Sequence, residues 1–125
     1  RAFGAERISV FSPYQPVADQ HVSTFFTEAG FEVASVTGLR CPSATAIAKV
    51  TPEMLTPVVE SLDGPDVDAI VQVGTNLSFV HQAAQLEHEL GKPVLAINVA
   101  TLWHALRATG IDDQITGFGR ILAEH

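Results

Sequence analysis

The sequence holds one cysteine, one tryptophan, one tyrosine and one methionine in 125 residues. A single cysteine, Cys41, excludes an internal disulfide framework and any cysteine-based zinc site; it fits a reducing compartment, so a soluble cytoplasmic protein is expected. Basic residues are scarce too: seven Lys and Arg stand against 14 Asp and Glu, for a net charge of −7. With no basic cluster to neutralise successive phosphates, nucleic acid is excluded as a partner. No apolar run approaches the ~18 residues that crossing a bilayer needs, and no charged segment followed by an apolar one opens the chain. Neither a membrane span nor a secretory leader is expected, and no repeat or low-complexity segment is present. What the chain does have is apolar content, 46% against 17% charged. That is enough for one core in one domain, with a thin polar surface that suits an apolar partner.

The apolar residues come as short β-branched runs alternating with longer amphipathic stretches, the pattern of a parallel sheet covered by helices on both faces. Strands are predicted at Arg7 to Ser12, Glu32 to Thr37, Ala69 to Val73 and Pro93 to Asn98. Helices are predicted from Val17 to Ala29, Pro52 to Leu62, Phe79 to Leu90 and Ala100 to Thr109. Gly30 and Gly91 fall where helices stop, and Thr51 followed by Pro52 reads as an N-cap with proline in the first helical position. Asp63 to Asp68 reads as a turn. Arg1 to Gly4 reads as the tail of a helix, which implies further chain upstream. The expected fold is α/β, a four-stranded parallel sheet flanked by helices within a single domain, residues 1–125.

In such a sheet, ligands bind beyond the carboxyl ends of the strands, where the winding reverses. The residues expected there are Ser12-Pro13-Tyr14, Gly38 to Cys41, Gly74-Thr75-Asn76 and Asn98 to Thr101. Gly74, Thr75 and Asn76 can aim backbone N–H groups, a hydroxyl and an amide at one anion. The same residues are also the ordinary chemistry of turns and helix caps, and from the residues alone the two readings stay open.

Other constellations carry less. His81 and His88 lie two turns apart on one helix, too far to share an ion, and no third ligand is evident; Ser78 and His81 lack an orienting carboxylate. Gly117-Phe118-Gly119-Arg120 follows no strand and lacks the third glycine of a dinucleotide loop. Asp66 and Asp68 lack the ligand pattern of a calcium loop. Cys41 beside Arg40 is a nucleophile only if its thiolate is favoured, and spectator cysteines are commoner. Trp103 and Leu106 share a helical face and read as packing residues.

Several segments together carry a family resemblance. They are Gly4 to Val10 leading into Ser12-Pro13-Tyr14, Gly38-Leu39 with Ile47 to Val50, Gly74 to Leu77, Leu90 to Val94 with Ala100 to Arg107, and Gly117 to Arg120. In this order and spacing the chain resembles the maleate isomerase and arylmalonate decarboxylase branch of the aspartate/glutamate racemase superfamily. The resemblance implies a flavodoxin-like half of a two-domain, racemase-type fold, with the active site between two similar halves. This chain looks like the carboxyl-terminal half, with 99–125 expected to cross toward a partner half. The implied activity is cofactor-independent and needs no metal: cis–trans isomerisation of small dicarboxylates. Decarboxylation or racemisation of a related acid, or carboxylate binding without catalysis, are the alternatives. The implied partners are a small carboxylate or dicarboxylate and either a second copy or a missing amino-terminal half. The resemblance implies that Tyr14 hydrogen-bonds a substrate carboxylate and that Thr75 and Asn76 form part of an oxyanion pocket, and Ser12, at the same strand end as Tyr14, is taken as a further substrate contact. In the family pattern, the residue before Thr-Asn-Leu is a cysteine serving as nucleophile or proton donor. Here it is Gly74, so binding is expected to outlast chemistry, and Gly74→Cys is expected to restore it.

Overall fold

The computed structural model describes residues 1–125. Ten elements follow one another: β1 (Arg7–Ser12), α1 (Pro16–Glu28), β2 (Glu32–Gly38), α2 (Ala44–Ala48), α3 (Pro52–Leu62), β3 (Ala69–Gln72), α4 (Val80–Leu90), β4 (Val94–Ala96), α5 (Ile97–Ala108) and α6 (Arg120–Glu124). The strands form one sheet in the order β2-β1-β3-β4, and every pairing is parallel. Because parallel crossovers are right-handed, the step from β1 outward to β2 puts α1 on one face, while the steps to β3 and β4 put α3 and α4 on the other.

Strand alternation divides the core unequally between these faces. Ile70 and Phe11 belong to a cluster of 14 buried residues that includes Leu55 and Val59 of α3, Ala83 and Leu86 of α4, Val99 of α5, and Ile121 and Leu122 of α6. On the opposite face only Ile8, Val10 and Ala69 are buried, with Val22 and Phe26 of α1 packed against them. Helix α1 buries no residue fully, and Val17 and Phe25 are 75% and 65% exposed. Trp103 and Leu106 pack, half-buried, against the larger cluster. No helix is long and apolar enough to cross a membrane.

The α/β class, the four strands and the four longer helices agree with the sequence pattern, and Gly91 closes α4 with φ 67°. One expectation needs correction, and two short helices went unread. The fourth strand ends at Ala96, and Ile97 opens α5, so Asn98 to Thr101 lie on a helix. Ile97 and Val99 suit a strand by local preference, but packing of α5 on the core overrides that preference. At the start of the described residues, the Gly4 N–H donates to the Arg1 carbonyl at 2.9 Å with Gly4 at φ 66°, the left-handed glycine that ends a turn and a helix alike. Helices α2 and α6, five residues each, are too short for their periodicity to register.

Candidate functional site

β1 and β3 are neighbours in the sheet, and the chain leaves them toward opposite faces, which opens a crevice at their carboxyl ends. One lip follows β1. Ser12 is fully buried, and its Oγ accepts the Tyr14 N–H at 3.2 Å. The carbonyls of Ser12, Pro13 and Tyr14 accept the N–H groups of Leu39, Cys41 and Arg40 at 2.8, 3.1 and 3.0 Å. Gln15 Nε2 donates to the Cys41 carbonyl at 2.9 Å. Gly38 permits this approach, since a Cβ there would lie 2.7 Å from the Tyr14 carbonyl oxygen. With its backbone pinned from behind, Tyr14 stands 39% exposed at the crevice.

The other lip is the turn from Gly74 to Phe79. Gly74 has φ +102°, and a Cβ on it would lie 2.6 and 2.8 Å from Cδ and Cγ of Pro13 and 3.4 Å from Tyr14 Oη. The glycine therefore lets the two lips touch, and the phenol stands over it. Its carbonyl accepts the Leu77 N–H at 3.1 Å and Gln72 Nε2 at 2.8 Å. Thr75 and Asn76 are exposed, and their backbone N–H groups meet no backbone acceptor. Chemically, the crevice sets a phenol beside a turn with two amide N–H groups that meet no backbone acceptor. Displaced carboxylate pKa values lie elsewhere: Asp68 is held low by the backbone N–H groups of Arg7 and Glu6, Glu53 by the Thr51 hydroxyl and its own N–H, and Glu124 by Arg120.

Of the residues singled out in the sequence, Tyr14, Gly74, Thr75 and Asn76 are brought together. Ser12 needs correction as a direct contact, because it faces inward and supports Tyr14 from below. Asn76 Nδ2 is also committed, donating to the Ala44 carbonyl at 2.8 Å, which leaves its backbone N–H as the donor for an anion. Cys41 is half-buried in the loop behind Tyr14. His81 and His88 are exposed on α4, with His81 5.5 Å from the Phe118 ring, and no group of three His, Cys, Asp or Glu residues is placed to hold a metal. One residue of the crevice escaped the sequence reading, Gln72, whose signal is its polarity inside an apolar strand, while Pro13, expected at the strand end, fills with its ring the space a side chain at 74 would need.

Comparison with known proteins identifies the architecture. The sequence model of a family described as arylmalonate decarboxylase matches residues 1–122. The chain belongs to the arylmalonate decarboxylase family. Its relatives within and beside that family include the maleate isomerase of Pseudomonas putida, 29% identical over 120 residues, which are 95% of this chain and 48% of the relative. In three dimensions it superposes on Nocardia farcinica maleate cis-trans isomerase bound to Tris with a TM-score of 0.94 at 26% identity, covering 99% of this chain and 51% of that one. For the maleate isomerase of Pseudomonas putida S16 with maleate, the TM-score is 0.92 at 30% identity, covering 98% and 50%. The family fold is thus present over the whole chain, as the resemblance implied, and the chain spans about half the length of the relatives it matches.

Proposed function

We propose that this chain forms one half of the site of a cofactor-independent enzyme of the maleate isomerase kind, and that this half binds and orients a small dicarboxylate. The observation that carries the proposal is the stacking of Tyr14 Oη over Gly74, 3.4 Å from where a Cβ would stand, beside the unpaired N–H groups of Thr75 and Asn76. In this reading, one carboxylate sits between the phenol and the turn. Neutral donors fixed in advance stabilise charge there without having to reorganise. The kinship with maleate isomerases supports maleate as the substrate to test first.

Gly74 puts no thiol at the strand end where the family pattern has cysteine, and Cys41 lies half-buried on a different loop, so addition to a double bond has no nucleophile at this strand end. A nucleophile must then come from a second half. Supporting such a half is the bare α1 face. A cleft of about 240 Å³ lined by Phe25, Phe26, Phe31, Val71 and Leu95 lies beside a shallower one bounded by Phe25, His21 and Tyr14. A second α/β half of the kind that completes the longer relatives, seated there, would also border the site.

Calorimetric titration with maleate tests the reading. Tyr14→Phe removes one hydrogen bond to a charged acceptor, typically ~1.5–3 kcal/mol, so affinity is expected to fall about tenfold or more. Unchanged affinity would remove Tyr14 from the site. Gly74 also favours the reading of a carboxylate-binding module without catalysis; saturable maleate binding with no fumarate formed by the assembled protein would decide for it.

A further inference from the structure

Strand β3 ends on Gln72, the one polar side chain in Ala69–Gln72, and it is 1% exposed on the sheet face that carries the larger core. Its amide is fully directed. Nε2 donates to the carbonyls of Val73 and Gly74 at 2.9 and 2.8 Å, and Oε1 accepts the Ile97 N–H, the first of α5, at 3.3 Å. Reversing the amide would set an oxygen against two carbonyl oxygens and an NH₂ against an N–H, so only one orientation serves.

Two peptide planes of the crevice follow from this one side chain. Gln72 and the Leu77 N–H hold the Gly74 carbonyl inward. No peptide bond is cis, so the Thr75 N–H lies opposite that carbonyl and points away from the interior. The next carbonyl, that of Thr75, accepts Asn98 Nδ2 at 3.1 Å, and Asn98 sits on the first turn of α5, the turn anchored by Gln72 through Ile97. The direction of the Asn76 N–H is set in turn. A residue sealed from the crevice thereby helps fix both peptide planes that carry these amide donors.

We propose that Gln72 is a positioning residue of this site, orienting the Thr75 and Asn76 N–H groups toward the carboxylate; the proposal rests on the dicarboxylate reading above. Gln72→Met keeps the length of the side chain and removes every hydrogen bond, and Gln72→Leu is the second replacement. The chain and both variants are compared by amide NMR without ligand, by hydrogen exchange at Leu77, by urea unfolding, and by titration with maleate. The expected result is displaced Thr75, Asn76 and Leu77 amide signals, faster exchange at Leu77, and maleate affinity reduced about tenfold or more in the folded variant. A purely structural role would lower the urea midpoint while leaving those amides and the affinity of the folded fraction unchanged, and that outcome overturns the proposal. So does failure of both variants to fold, which assigns Gln72 to stability alone. If the unaltered chain shows no maleate binding, the dicarboxylate reading falls, while the amide signals still decide whether Gln72 aims the turn.

Discussion

Placing a methyl group on Gly74 tests how tightly the two lips of the crevice are built against each other. Gly74→Ala meets two separate penalties. At φ +102° a Cβ clashes with its own backbone, which costs about 1–3 kcal/mol. The new Cβ would also lie 2.6 Å from Pro13 Cδ and 2.8 Å from Cγ, both ring atoms of a buried proline that cannot swing aside as a flexible chain end would. Overpacking of that kind typically costs about 1–3 kcal/mol. Against these, alanine restricts the unfolded chain more than glycine and returns about 0.4–1 kcal/mol. At the midpoints of these ranges the net loss is roughly 3 kcal/mol, or on the order of 10 °C in melting temperature for a domain of this size.

Urea unfolding followed by the fluorescence of Trp103, half-buried against the larger core, measures the loss. The steric share is separable. In a cycle with Pro13→Ala, the double variant should recover about 1–3 kcal/mol, leaving only the backbone penalty. A Gly74→Ala protein within about 0.5 kcal/mol of the parent, or a cycle with no coupling, would refute the close contact. Gly74→Cys meets the same two penalties, so any gain in maleate turnover from a thiol there is best sought on the Pro13→Ala background.

Three further outcomes are expected elsewhere. Asp68 Oδ2 accepts the N–H groups of Arg7 and Glu6 at 2.8 and 2.9 Å, holding its carboxyl below the usual aspartate range. The folded state therefore favours the carboxylate, and the stability it gives above about pH 3.9 is lost as pH falls through the lower folded pKa; urea midpoints should drop more steeply below about pH 4 in the parent than in Asp68→Asn. Glu87 is 4% exposed and accepts the Arg120 N–H at 2.7 Å and the Val94 N–H at 3.3 Å, tying α4 to α6 and β4. Glu87→Ala should cost about 3 kcal/mol in urea unfolding and speed hydrogen exchange at Arg120. The chain on its own should associate through the bare α1 face, and Phe25→Asp should abolish that in sedimentation velocity; equal behaviour of the two proteins would show that the face is not sticky.

The sheet was legible because each strand is a short stretch carrying Val or Ile between turn signals, and because Gly30, Gly91 and Pro52 punctuate the helices. Where local preference and packing disagree, the sequence misleads, as at Ile97 to Val99. The crevice was legible in part. Tyr14, Gly74, Thr75 and Asn76 lie at strand ends, which topology alone makes neighbours. The inward turn of Ser12, the commitment of the Asn76 amide to Ala44 and the wedge of Pro13 depend on side-chain directions that strand order does not fix. Gln72 stood in plain view as a polar residue in an apolar strand, but its role depends on the direction of carbonyls that follow it.

A chain carrying −7 is an unpromising host for a dicarboxylate by net charge alone. The objection weakens with distance, since screening over roughly 8 Å at physiological salt mutes charges spread across the surface, whereas a donor in contact acts undiminished. On the proposed reading, affinity in this crevice rests on the direction of a few dipoles. Those directions depend on Gly74, whose missing side chain admits Pro13 and the Tyr14 phenol, and on Gln72, whose amide turns the carbonyls inward and the N–H groups out. A cysteine at 74 would add a nucleophile and, by pressing on Pro13, disturb the lip that carries the phenol. If this crevice binds as proposed, binding geometry and thiol chemistry compete for the same few ångströms at position 74.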